Sequence, residues 1–194
     1  GISEVAESMS DEIEEHGYWG SARDRMPAAQ TSELAPEGDL QIKRVGELRI
    51  VRSHENMCLI RSGQDWTDTT GVARTRYCDR LQPVLIEGMN FLRDEGLAAG
   101  CYSNRYVTVN DDAGLALCRT YGLGWWRSLA DLEQWSASHP THLEIFGGFG
   151  RYLREFHGAA GLRLYHEVTV LRADQCRFEY LGCHDQTGLL AAVC

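Results

Sequence analysis

The sequence predicts an α+β fold, with a ferredoxin-like antiparallel sheet carrying helices on one face. Three observations predict it. Residues 100–109 and 161–172 alternate along their length, as half-buried strands do. Helix patterns over 68–95 and over 129–157 separate the strand patterns instead of following them. No glycine fingerprint of a parallel nucleotide-binding sheet is present.

Taken in order, residues 11–26 carry two acidic pairs, a Gly-bounded aromatic pair, and then Arg23 and Arg25. Arg23-Asp24-Arg25 reads as a solvated charge run with a local ion pair, or as a source of a guanidinium turned into a pocket. Pro27 to Gly38 is polar, holds two prolines, and is expected to be a loop. Strands are expected over 45–52 and 57–62, with His54-Glu55-Asn56 as the turn and Arg61 and Ser62 at a strand end. In 68–95 the apolar positions Leu81, Val84, Leu85, Met89 and Leu92 trace a helical stripe; Pro83 predicts a break or kink. The 100–109 strand turns at Asn110–Gly114 into a partner over 115–122. Ser128, with Asp131 three residues on, is a helix N-cap for 129–137. Two strands, 161–172 and 176–182, close the chain.

The stretch around which the rest is organised is Ser138–Val170. Pro140 suits a first helical turn, where its missing N–H has no intrahelical partner. His142, Phe146 and Phe149 then share one face, beside Gly147, Gly148 and Gly150. Three glycines in four positions cost a helix roughly 1 kcal/mol each, which points to a large flat body against the backbone. On the strand that follows, Leu162, Leu164, His166, Val168 and Val170 share a face. Two histidines on adjacent elements fit an iron porphyrin, one as axial ligand and one across the pocket. From spacing alone the commoner case is two hydrogen-bonded core histidines; His139 and His142 could also begin a zinc site, though no further ligands lie near in sequence.

Composition narrows the partners. The 28 acidic and 19 basic residues give a net charge of −9, which argues against nucleic acid and anionic membranes. No apolar run reaches the length of a membrane span. Seven scattered cysteines without C-x-x-C spacing read as reduced thiols, and so as a cytoplasmic protein. The first residue is glycine, and the opening reads as the middle of a connection, so the chain is expected to be a piece of a longer one.

Six blocks carry a resemblance. They are I-E-E-H-G-Y-W-G-S-x-R-D-R (13–25), L-I-R-S-G-Q-D-W (59–66), G-C-Y-S-N-R (100–105), W-R-S-L-x-x-L-E-x-W-x-x-S-H-P-T-H-L (126–143), L-R-L-Y-H-E-V (162–168) and F-E-Y-x-x-C-H-x-x-T-G (178–188). In order and over almost the whole chain, they resemble the haem-containing aldoxime dehydratases. The resemblance implies haem b, ferrous in the active state, in a dimeric α+β-barrel fold of ferredoxin-like halves. It implies a lyase that dehydrates aldoximes, R–CH=N–OH, to nitriles as a homodimer, and a chain that is the C-terminal portion of a longer one. By motif it implies His142 as the iron ligand, with Phe146, Phe149 and Gly147 against the haem. His166 would be the distal acid/base, Ser62 would hold the substrate hydroxyl, and Arg25 would complete that polar network. The alternative is a haem-binding or sensing module without catalysis.

Overall fold

The computed structural model describes residues 7–8 and 20–193. Most of the 13–25 block lies outside the described residues. The described chain begins with a short helix, α1 (Ser21–Asp24), and a 3-10 turn at Pro27–Gln30. Strands β1 (Gln41–Val45), β2 (Leu48–Arg52) and β3 (Met57–Asp65) follow. Next come α2 (Gly71–Arg76), a π-helical turn (Tyr77–Leu81) and α3 (Gln82–Asp94). A hairpin, β4 (Cys101–Asn110) and β5 (Ala116–Trp126), leads into α4 (Leu129–Ser138) and α5 (Pro140–Glu155). β6 (Arg163–Leu171) and β7 (Arg177–Leu181) close the chain.

From β3 to β6 the order is β-α-β-β-α-β. Those four strands form one antiparallel sheet in the order β4-β5-β3-β6. That is the split arrangement of a ferredoxin-like fold: each helical crossover returns the chain beside a strand it did not just leave. The helices pack on one sheet face through Cys58, Leu85, Met89, Leu92, Trp126, Leu129, Leu132 and Trp135. β1, β2 and β7 make a separate three-stranded sheet, joined to the first by Val51, Met57, Cys176, Leu189 and Leu190.

Two strand expectations are corrected. β2 and β3 are not a hairpin: β2 pairs with β1 and β7, and β3 with β5 and β6. The link between them passes from one sheet to the other, and His54 anchors it through a bond to the Tyr102 hydroxyl on β4 (3.0 Å). Arg61 and Ser62 sit mid-strand, because Gly63, Gln64 and Asp65 stay in register with both neighbours. The carboxamide of buried Gln64 accepts a hydrogen bond from Thr120 (2.9 Å), so a polar residue continues the strand without an unpaired group.

Helix boundaries agree more closely. Ser128 Oγ accepts from the Asp131 N–H at 3.1 Å, and Pro140 occupies the first turn of α5. Pro83 does not break its helix. It cannot donate an N–H, and its ring crowds the carbonyl four residues back. The wider π turn just before it absorbs both effects and the helix runs on. Arg23 departs from a local pair: its guanidinium grips Glu133 on α4, with Nε–Oε1 at 3.0 Å and Nη2–Oε2 at 2.9 Å. Among the described residues, no helix is long and apolar enough to cross a membrane.

Candidate functional site: a cavity between the sheet and its helices

Between the sheet and its helical layer lies a cavity of about 270 Å³. Ile60, Ser62 and Gln64 of β3 form its floor with Gly122 and Gly124 of β5 and Leu164 and His166 of β6. Val84, Leu85 and Met89 of α3, Trp135 of α4, and His142, Ile145, Phe146 and Phe149 of α5 form its roof. Most of the wall is apolar. The strand glycines have a packing role that alternation could not reveal: a Cβ at Gly122 would lie 2.7 Å from Met89 Sδ. Gly122 lets α3 come down onto β5, while a Cβ at Gly124 would lie 2.8 Å from Trp126 Nε1.

Sequence reasoning singled out seven site residues, and five of them line this cavity: His142, His166, Ser62, Phe146 and Phe149. Ser62 and His166 face each other as cross-strand partners on β3 and β6. Gly147 is not part of the wall; its neighbour Gly148 is. A Cβ at Gly148 would meet nothing nearer than Arg151 Nη2 at 3.7 Å, so the surrounding protein does not itself demand glycine there. Arg25 is exposed at the C-terminal end of α1 and does not line the cavity.

His142 is held in one tautomer. Its Nδ1 lies 2.8 Å from the Ser136 carbonyl oxygen, which can only accept, so Nδ1 carries the proton and Nε2 the lone pair. The Trp135 ring stands edge-on to it at 4.8 Å. Burial pushes the His142 pKa down to about 4, against the opposing pull of the Ser136 carbonyl. The ring is therefore neutral at pH 7, as a metal ligand must be. A carbonyl holding the far nitrogen is the usual outer support of a ligating histidine.

His166 is wetted through the cavity, so its surface is accessible, yet protein surrounds it on the scale that governs charge. Burial pushes its pKa down. His139 is otherwise engaged: its Nδ1 is 2.9 Å from Thr141 Oγ1 and its ring stacks on Phe91 at 4.2 Å. Among the described residues, no group of three or more His, Cys, Asp or Glu is placed to hold a metal ion, so the zinc reading gains no support. Burial raises the thiols of Cys58 and Cys101 to about 12, which leaves both as inert packing groups.

The cavity fits a haem on observations of its own. The imidazole of His142, with its lone pair on Nε2, stands on its wall. The wall is apolar and partly aromatic. Four buried polar side-chain atoms have no hydrogen-bond partner among the described residues, and three of them belong to residues on this wall: Tyr77 Oη, Trp126 Nε1 and Trp135 Nε1.

Fold and site together define a ferredoxin-like α+β unit with an apolar, histidine-bearing cavity of a kind that suits a haem. A profile of the haem-containing dehydratases matches residues 1–189, and the chain belongs to that family. It is 48% identical over 194 residues to an aliphatic aldoxime dehydratase from Pseudomonas chlororaphis, covering 98% of this chain and 54% of the relative. It is 34% identical over 196 residues to a phenylacetaldoxime dehydratase from Bacillus sp. (strain OxB-1), covering 98% of this chain and 55% of the relative. A crystal structure of an aldoxime dehydratase in complex with butyraldoxime superposes with a TM-score of 0.89 at 47% identity, over 98% of this chain and 54% of that one. The chain thus spans about half the length of the curated relatives it matches.

Proposed function

We propose that the protein to which this chain belongs dehydrates aldoximes to nitriles: R–CH=N–OH gives R–C≡N and water. The observation that carries the reading is the cavity that brings together a neutral, carbonyl-oriented His142 and the Ser62–His166 pair. His142 would hold the iron of a b-type haem, and Phe146 and Phe149 would lie against the macrocycle; Gly147 has the support of the motif alone. When bound, ferrous haem supplies an open coordination position for the aldoxime nitrogen and electron density for the C=N–O unit.

This chain's residues do the rest. Hydroxide is a poor leaving group. His166, carrying a proton on a ring nitrogen, gives it to the substrate's hydroxyl oxygen, and the N–O bond breaks with loss of water. The imidazole, now neutral, takes the proton from the substrate carbon as the triple bond forms. The downward shift of its pKa makes the protonated ring a stronger acid and favours the neutral base afterwards. The Ser62 hydroxyl, on the neighbouring strand, orients the departing oxygen. Arg25 is proposed as the cationic partner of that oxygen, on the strength of the R-D-R motif. The six described cysteines are free thiols, which supports a reducing, cytoplasmic setting. The homodimer rests on the family resemblance.

The test is an absorption spectrum and a nitrile assay on the full-length protein, reduced with dithionite and given an aldoxime. A Soret band with nitrile formation is expected. Haem without nitrile would overturn the catalytic reading in favour of a haem-binding or sensing module, and no Soret band would overturn both.

A further inference from the structure

Among the described residues that line the cavity, Arg80 is the one arginine or lysine. It is exposed, and it makes no hydrogen bond or ion pair with any described residue. Its neighbours are occupied. Arg76, on α2, is tied to Glu155 at 2.7 Å, and Glu144, the one carboxylate on the wall, is tied to Arg151 at 2.7 Å. Arg80 belongs to the π-helical turn Tyr77–Leu81.

A b-type haem is a flat apolar disc with two carboxylates on one edge. Pushing a carboxylate into the apolar interior of the slot would cost several kcal/mol, so that edge belongs at the lip. Glu144 is already paired with Arg151, whereas Arg80 has no described partner and attracts that edge. A guanidinium also matches a carboxylate fork to fork. We propose that Arg80 binds a propionate of the haem, so that the π-helical turn marks the propionate edge of the pocket and fixes which way round the disc enters. The proposal rests on the haem reading and not on the dehydratase activity.

The test titrates the full-length apoprotein with protohaem and with protohaem dimethyl ester, whose carboxylates are capped, and follows the Soret band. The quantity read is the ratio of the two affinities. In the unsubstituted protein the ratio should favour protohaem about two- to fivefold more than in Arg80→Met, as expected for an exposed ion pair. Arg80→Lys should restore part of it, and raising the salt should shrink it. Because each variant supplies its own ester control, a general loss of stability cancels. An Arg80→Met protein with the unsubstituted ratio overturns the proposal. An unsubstituted protein that binds neither compound overturns the haem reading, and the Arg80 assignment falls with it.

Discussion

Ser62 and His166 are direct partners across the β3–β6 ladder, and both side chains line the cavity. Their neighbours in register, Arg61 and Glu167, form an ion pair at 3.0 Å. The Arg61 guanidinium also lies over the rings of Tyr121 (4.6 Å) and Tyr165 (5.1 Å). Adjacent strand positions point to opposite faces, so the clamp sits on the sheet face away from the cavity. A slip of one residue would exchange the two sets. The spacing of the Ser62 and His166 side chains is thereby a property of the sheet and not of a loop.

Removing that serine and that histidine should have separable effects. His166→Ala is expected to keep the Soret band and lower nitrile formation by about 10²–10⁴-fold, the range of a positioned acid/base. Ser62→Ala should fall less, because it removes orientation and leaves the proton donor. Steady-state nitrile assays on spectrally verified holoprotein check both.

On the other wall, His142→Ala should lose haem altogether, with the Soret band absent after purification. Adding imidazole should bring part of the band back, since the cavity and its aromatic wall remain. A variant that keeps full haem content without imidazole would remove His142 as the ligand.

Gly63 is a packing requirement. A Cβ there would sit 1.9 Å from the Tyr165 ring. Gly63→Ala is expected to destabilise the chain by about 1–3 kcal/mol, the usual cost of overpacking, read by urea denaturation. Combined with Tyr165→Ala, the added methyl group should cost much less than it does alone.

Asp65 supplies a pH dependence. Burial would raise its pKa, but the Thr67 hydroxyl and N–H, together with Arg163 and Arg119, hold it at about 2. A carboxyl that is more acidic folded than unfolded stabilises the fold at neutral pH. That contribution, about 2 kcal/mol, is complete above the ordinary carboxyl range near 3.8 and disappears as pH falls through 2. Asp65→Asn should therefore lower stability at pH 7, and the difference from the unsubstituted protein should narrow toward pH 2 in urea melts.

Much of this was legible in the chain. Alternation marked β4 and β6, the turn at Asn110–Gly114 marked β5 as a partner strand, and the 3.6-residue stripes marked α3 and α5. Ser128 and Pro140 announced helix starts through local chemistry that needs no tertiary partner. The sheet assignment of β2 was not legible. Ile50 and Val51 look alike whether the neighbouring strand is β3 or β7. Strand β1 was missed because its exposed residues, Lys43 and Arg44 among them, give little alternation. Arg80 and Tyr77 gave no signal either: a π turn places side chains off the helical stripe by which one reads them. Residues called to the site by motif came together where they lie on β3, β6 and α5; Arg25, at the end of a four-residue helix, did not.

The π-helical turn ahead of Pro83 has a consequence for anyone editing this protein. It amounts to one residue more than a regular helix would use, so a single deletion between Tyr77 and Leu81 looks harmless. It would close the turn to a regular one and leave Leu85, Met89 and Leu92 facing the sheet. It would also bring the Pro83 ring back against the carbonyl four residues before it, so the tidier helix would be the less stable one.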